Sequence, residues 1–293
     1  MNKSSLRFLS TGVLFAILWA SASAAGKIGL QSAEGLVLFV VRFLVAGALL
    51  LGYATFVQRD RFPKKDEWLP LLIFGLFNTT LYLGIFIISL EEVTAGITSI
   101  SLALNPLLIS TMTALWLKRH VTKIEWISIS IGIAGVVVAS YPLLLNSYAT
   151  TTGLILLAIC MVAYSFGSVY YATIPWKLSR TAINGWQVLI GGILLIPVAL
   201  LFHSKPNHFD IRFWLSIGWL VVPVSIGAVQ LWLYLLKADA VKASIWLFLC
   251  PIFGLFYATA LLDEPFNFYT VIGTLLVLTA LILGQRKNLK KGK

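Results

Sequence analysis

Charge is what this chain has least of. Asp, Glu, Lys and Arg make up 11% of its 293 residues, against roughly 25% in an ordinary soluble domain. The two cysteines, Cys160 and Cys250, both lie in apolar runs and offer no disulfide framework. All eleven Asp and Glu residues fall in connectors or at the ends of apolar runs. No carboxylate or histidine stands mid-run, where a membrane-embedded proton relay would be expected. A membrane-embedded enzyme would need a carboxylate pair, a metal-ligand cluster or an activated nucleophile. His120, His203 and His208 lie in connectors, no HExxH-like run exists, and neither cysteine has a basic neighbour. A channel would show a ring of charge or a filter-like loop, and neither is visible. No metal or cofactor is expected.

What fills the chain is apolar: 59% of its residues are hydrophobic. A hydrocarbon core of roughly 30 Å needs about 20 apolar residues per helix. Ten such stretches are read at 8–27, 34–57, 69–89, 94–116, 124–142, 150–173, 182–202, 212–236, 241–262 and 267–284. The fold class expected is therefore an all-α membrane protein of ten transmembrane helices in a five-plus-five inverted repeat. The net charge of +11 follows from topology rather than from nucleic-acid binding. With the N-terminus in the cytoplasm, 18 of the 22 basic residues fall on that side, three fall outside (Lys27, Lys205, Arg212) and Arg42 lies within a span. Basic residues retained on the cytoplasmic side set orientation, so both termini are expected there, in a cytoplasmic (inner) membrane. The first apolar run ends in Ala20-Ser21-Ala22-Ser23-Ala24, which looks like a signal-peptide cleavage region. Its alignment with a later helix makes an uncleaved first span the expectation.

A shift of 145 residues aligns the two halves without a gap. Pro106 falls on Pro251, Gly47 on Gly192, Ala95 on Ala240 and Ser99 on Ser244, and Trp19-x3-Ser23 falls on Tyr164-x3-Ser168. The expected units are 1–145 and 146–293. Five spans per unit, an odd number, require the second to insert upside down. Lys118-Arg119 and their equivalents Asp263-Glu264 fit that: basic where cytoplasmic, acidic where outside. Inverted repeats are the usual construction of secondary transporters, with the solute held where the halves meet.

Particular motifs carry a resemblance. They are Leu18-Trp19-Ala20-Ser21, Arg42-Phe43, Asn105-Pro106-Leu107, Trp186-Gln187-Val188-Leu189, Pro251 and Leu262-Asp263-Glu264-Pro265. With them the whole chain resembles bacterial members of the drug/metabolite transporter superfamily built from two EamA domains. One departure is Lys118-Arg119-His120 where a Gly-Glu turn often follows helix four. The resemblance implies alternating-access export or exchange of small metabolites through a cavity lined by helices one, three, four, six, eight and nine.

Polar residues inside apolar runs mark where a solute would sit, because an amide facing lipid is left unsatisfied. Thr94, Thr98, Ser101 and Asn105 share one helical face. Asn78, Tyr82 and Ser89 are roughly aligned, and Gln230 and Tyr234 are one turn apart. Trp19 with Ser23 and Tyr164 with Ser168 form one-turn pairs. Trp19, Tyr82, Tyr164 and Trp246 would supply flat walls. Ser and Thr also hydrogen-bond neighbouring helices routinely, and many of the Trp and Tyr residues would serve equally as interfacial belts. The candidate solute-binding set is Trp19, Ser23, Asn78, Tyr82, Thr98, Ser101, Asn105, Tyr164, Ser168, Gln230 and Trp246. Pro106 and Pro251 are read as kinks or hinges. Arg42 is either an anchor snorkelling to the interface or a receptor for a solute carboxylate or phosphate. Small-residue faces at Ser128, Gly132, Gly135 and Ala139 and at Gly273, Ala280 and Gly284 read as packing surfaces, within the chain or in a homodimer. A cavity of amides, hydroxyls and aromatics suits a neutral or zwitterionic solute, an amino acid or related compound first. Uptake or facilitated passage of a drug, sugar derivative or nucleoside is the alternative.

Overall fold

The computed structural model describes residues 3–93, 101–145, 150–262 and 268–284. Thr94, Thr98 and the Asp263-Glu264 pair lie outside the described residues. The described chain is almost wholly helical, with no strand. Its α-helices are α1 (Lys3–Leu30), α2 (Gly35–Gly52), α3 (Lys65–Gly75), α4 (Ile85–Glu92), α5 (Asn105–Trp116), α6 (Lys123–Leu145), α7 (Thr151–Thr173), α8 (Arg180–Leu201), α9 (Ile211–Trp219), α10 (Val229–Ala238), α11 (Ala240–Ile245), α12 (Leu249–Leu262) and α13 (Phe268–Gly284). Among the described residues, six helices are long and apolar enough to cross a membrane: Leu6–Leu30, Gly35–Val57, Lys65–Ser89, Thr151–Thr173, Arg180–Leu201 and Ile211–Ala238. Shorter apolar helices cover Ser101–Trp116, Ala240–Gly254 and Val271–Gly284.

Helix starts are written into the connectors. Thr150 accepts from the Gly153 amide at 2.9 Å, Ser179 from Ala182 at 3.1 Å, Asp210 from Phe213 at 3.0 Å and Asp239 from Lys242 at 3.1 Å. Each cap satisfies one of the amides a helix start leaves open. Thr122 and Glu125 form a reciprocal capping box at the start of α6.

Two long rods contain a wide, π-helical middle. Leu76–Gly84 (π1) joins α3 to α4, and Leu220–Ala228 (π2) joins α9 to α10. The 145-residue shift brings these segments to within one residue of each other. Such wide turns interrupt the regular i to i−4 ladder and recur at functional sites.

Packing follows the repeat. α2 packs on its own equivalent, α8, and α6 packs on its own equivalent, α13. α1 lies against the α9–π2–α10 rod and α12, while its equivalent α7 lies against the α3–π1–α4 rod and α5. The α2–α8 pair runs antiparallel, with Gly47 against Leu189, Gly192 against Phe43 and Gly185 against Leu51. Close approach explains the equivalent glycines: a Cβ on Gly47 would fall 2.8 Å from Leu189 Cβ, and one on Gly192 2.8 Å from Phe43 Cβ. Overpacked cores lose typically about 1–3 kcal/mol. Gly47→Leu is therefore expected to lose about 2 kcal/mol in denaturant unfolding of the purified protein, and Gly52→Leu, where nothing lies within 4 Å, almost nothing. The small-residue faces of α6 and α13 meet each other, Gly135 against Gly273 and Val277, with Ser128 Oγ donating to the Ala280 carbonyl at 2.7 Å.

One end of the bundle is fastened across the repeats. Glu34 accepts from the Ser204 and Lys205 amides at 2.7 and 2.6 Å, with His203 Nδ1 at 2.6 Å. Burial works to raise the Glu34 pKa, but the Ser204 amide and the other donors outweigh it and hold it at about 2. A depressed carboxylate pKa stabilises fully above the ordinary value of 4.5 and loses its effect as pH falls toward 2. The melting temperature of the native protein should therefore exceed that of Glu34→Gln by a constant margin above pH 5. The margin should shrink steadily below that.

Candidate functional site

The elements that bring the repeats together, α1, π1, α7 and α10, place five aromatic rings in one cluster. Tyr82 and Tyr164 lie 4.5 Å apart, Trp19 lies 6.5 and 6.4 Å from them, and Trp232 lies 5.8 Å from Tyr164. Phe15 closes the group, stacked 4.9 Å from Trp232. Three of the four expected wall residues thus meet. The fourth, Trp246, is buried against α1, where a Cβ on Gly12 would fall 2.1 Å from its indole.

Near the rings are buried polar atoms with few partners or none. Trp232 Nε1 and Asn78 Oδ1 are buried without a hydrogen-bond partner among the described residues, as is Trp246 Nε1 away from the cluster, while the Tyr164 and Ser168 hydroxyls, one turn apart, have only each other. Buried polar groups in folded proteins are overwhelmingly paired, so this sparse pairing needs a reason. Four of the five can donate. An incoming acceptor, a carbonyl or carboxylate oxygen, would satisfy them.

A buried polar belt runs alongside. Thr79 Oγ1 donates to Gln187 Oε1 at 2.6 Å, and Asn78 Nδ2 donates to the same oxygen at 3.3 Å. Gln187 Nε2 donates to Asn184 Oδ1 at 3.0 Å, and Asn184 Nδ2 to the Ser225 carbonyl at 2.9 Å. Arg42 Nε completes the belt, donating to Ser225 Oγ at 2.9 Å. The belt thereby ties α2, α8, π1 and π2. Gln187 is the repeat equivalent of Arg42: one position carries an amide in one half and a cation in the other.

Arg42 does not snorkel. Its side chain is 2% exposed, with Cζ 5.0 and 5.3 Å from the Phe39 and Phe43 ring centres. Cation–π contacts supply about 0.5–2 kcal/mol, whereas burying a cation costs several. The two rings do not offset that cost.

The remaining expected residues divide. Asn105 is fully buried and paired inside the fold: Nδ2 reaches Met161 Sδ at 3.1 Å and Oδ1 accepts from Ser165 at 3.2 Å. Ser101 is buried, and Gln230 is half-buried on α10. Ser23 is exposed and donates to the Ala20 carbonyl at 3.0 Å. Pro106 and Pro251 each sit in the first turn of a helix after an interruption, at Leu104 and at Trp246–Phe248. Proline's missing donor does little harm there. Sequence reasoning missed Phe15, Asn184, Ser225 and Trp232 as site residues. Gln187, noted only as part of a motif, could have been found by applying the 145-residue shift to Arg42.

A membrane-spanning helical bundle with repeat-related packing and a polar-aromatic centre defines a membrane transporter. The chain belongs to the EamA-like transporter family, whose model matches it twice, over residues 7–141 and 151–284. It is 24% identical to the uncharacterized transporter sll0355 of Synechocystis, over 93% of this chain and 88% of that one. It is 28% identical to the uncharacterized inner membrane transporter YedA of Escherichia coli K12, over 87% and 84%. A crystal structure of a protein 17% identical in sequence superimposes with a TM-score of 0.80 over 100% of both chains, which shows a shared fold.

Proposed function

We propose that the protein is an alternating-access carrier of ten spans in a five-plus-five inverted repeat. It exports, or exchanges, small neutral or zwitterionic solutes, amino acids or related compounds, across the inner membrane. Both termini face the cytoplasm. The observation that carries the reading is the cluster of Trp19, Tyr82, Tyr164 and Trp232, contributed by both repeats, with the unpartnered Trp232 Nε1 donor in it. Flat apolar walls beside an open donor, without an acid, favour a solute with an apolar body and an oxygen acceptor over a polycation. The antiparallel α2–α8 and α6–α13 contacts support rocking of one half against the other.

The test is efflux from cells preloaded with a dipeptide and metabolite panel, read by extracellular mass spectrometry, with counterflow in proteoliposomes beside it. Selective efflux stimulated by solute on the opposite side is the expected result. Inward accumulation would reverse the direction assigned. Single-channel currents would replace the carrier with a channel.

A further inference from the structure

We propose that Arg42 is the receptor for a carboxylate on the transported solute, an inference that rests on the carrier reading above. A guanidinium presents five N–H donors. Among the described residues Arg42 makes one hydrogen bond, from Nε to Ser225 Oγ, and no ion pair, although its side chain is 2% exposed. The Phe39 and Phe43 rings beneath it take up none of the donors. The chain cannot supply the missing charge from within its spans, because every Asp and Glu lies in a connector or at a span end.

The repeat sharpens the point. At the equivalent position the Gln187 oxygen accepts from Thr79 and Asn78, and its nitrogen donates to Asn184. An amide therefore suffices for the structural task of holding an outer helix to a π-helical rod. The charge at Arg42 is an addition to that task, and its unused donors form the planar fork that binds a carboxylate through two parallel hydrogen bonds. A single cation with no second basic group among its hydrogen-bonded neighbours matches one negative charge, which favours a carboxylate over a phosphate dianion. The belt from Arg42 ends at Asn78 and Thr79, one turn from Tyr82 in the ring cluster. A solute with an apolar body and a carboxylate would address both features.

The test observes the guanidinium directly. The full chain, labelled with 15N-arginine, is purified in phosphate-free maltoside micelles, and the Arg42 signal is assigned by its loss in a folded Arg42→Lys variant. The probes are benzoate, benzamide as its neutral match, and inorganic phosphate. Benzoate is expected to move the Arg42 Nη signal saturably, with at least tenfold preference over benzamide and over phosphate. No movement with benzoate, or equal movement with benzamide, overturns the proposal. A phosphate preference overturns the carboxylate assignment. A signal that shifts on transfer to phosphatidylglycerol nanodiscs and then ignores benzoate would make the counter-ion a lipid headgroup, and the proposal fails. Counterflow separates the two readings: transport with an unmoved Arg42 signal removes only the site, and saturable benzoate binding without transport of any solute removes the carrier.

Discussion

Replacing Gln187 by Ala is expected to destabilise the protein by about 2–3 kcal/mol, read as a lower midpoint in SDS-induced unfolding. One side chain here accepts from Thr79 and Asn78 and donates to Asn184, all buried. Interhelical hydrogen bonds in bilayers average only about 0.6 kcal/mol each, because the separated helices find other partners. A buried polar group left unmatched in a packed fold costs about 1–3 kcal/mol. Three bonds lost at once lie between those scales, with a small cavity added. Asn105→Ala is the comparison: it removes a 3.1 Å contact to a thioether sulfur and a 3.2 Å bond from Ser165, for about 1 kcal/mol. A double-mutant cycle pairing Gln187→Ala with Thr79→Val should show coupling, because the two share the 2.6 Å bond. A Gln187→Ala loss below about 0.5 kcal/mol would mean that the belt does not hold π1 to α8.

The contrast between Gln187 and Asn105 also marks where sequence reading stops. The repeat was legible because proline, glycine and aromatic positions recur at a fixed spacing, and packing constrains those residues in the same way in both halves. Trp19, Tyr82 and Tyr164 were legible as bulky amphipathic rings on polar stripes. Asn105 read as a cavity residue because a mid-span amide must be satisfied, and sequence cannot say whether a solute or a neighbouring helix does it. Its acceptor and donor, Met161 and Ser165, lie more than fifty residues away. Trp232 was hidden by a change of phase. Gln230 and Tyr234 attracted attention by polarity, yet Trp232 lies about 200° round an α-helix from each. The π-helical turns of Leu220–Ala228, just before it, displace the facing pattern that a regular 3.6-residue period would predict. Arg42 had a stem long enough to reach an interface, and only the Ser225 bond and the two rings show that it stays inside.

Tyr164→Phe is expected to leave stability nearly unchanged, while lowering transport at least tenfold. The Tyr164 ring is 1% exposed and packs against Trp19, Tyr82 and Trp232, contacts that Phe preserves. Its hydroxyl has no described partner but the Ser168 hydroxyl one turn away, so deleting it breaks at most one neutral bond and removes a buried polar group, and the two effects nearly cancel. A purely structural tyrosine would behave the opposite way, losing stability with its hydroxyl and sparing the transport rate. Tenfold corresponds to about 1.4 kcal/mol, the scale of one hydrogen bond made to the solute as it passes. Trp232→Phe should lower transport likewise, because the Trp232 Nε1 donor is unpartnered, but it also leaves a cavity where the larger buried indole stood and is expected to lose about 1–2 kcal/mol of stability. Tyr164→Ala differs in kind: it removes a ring from the centre of the bundle and is expected to cost about 3–5 kcal/mol, which obscures any effect on binding. Unfolding midpoints and initial efflux rates at matched membrane levels decide between the two accounts. Equal transport by Tyr164→Phe and the native protein would move the solute away from the ring cluster, and loss of stability together with transport would make Tyr164 a packing residue.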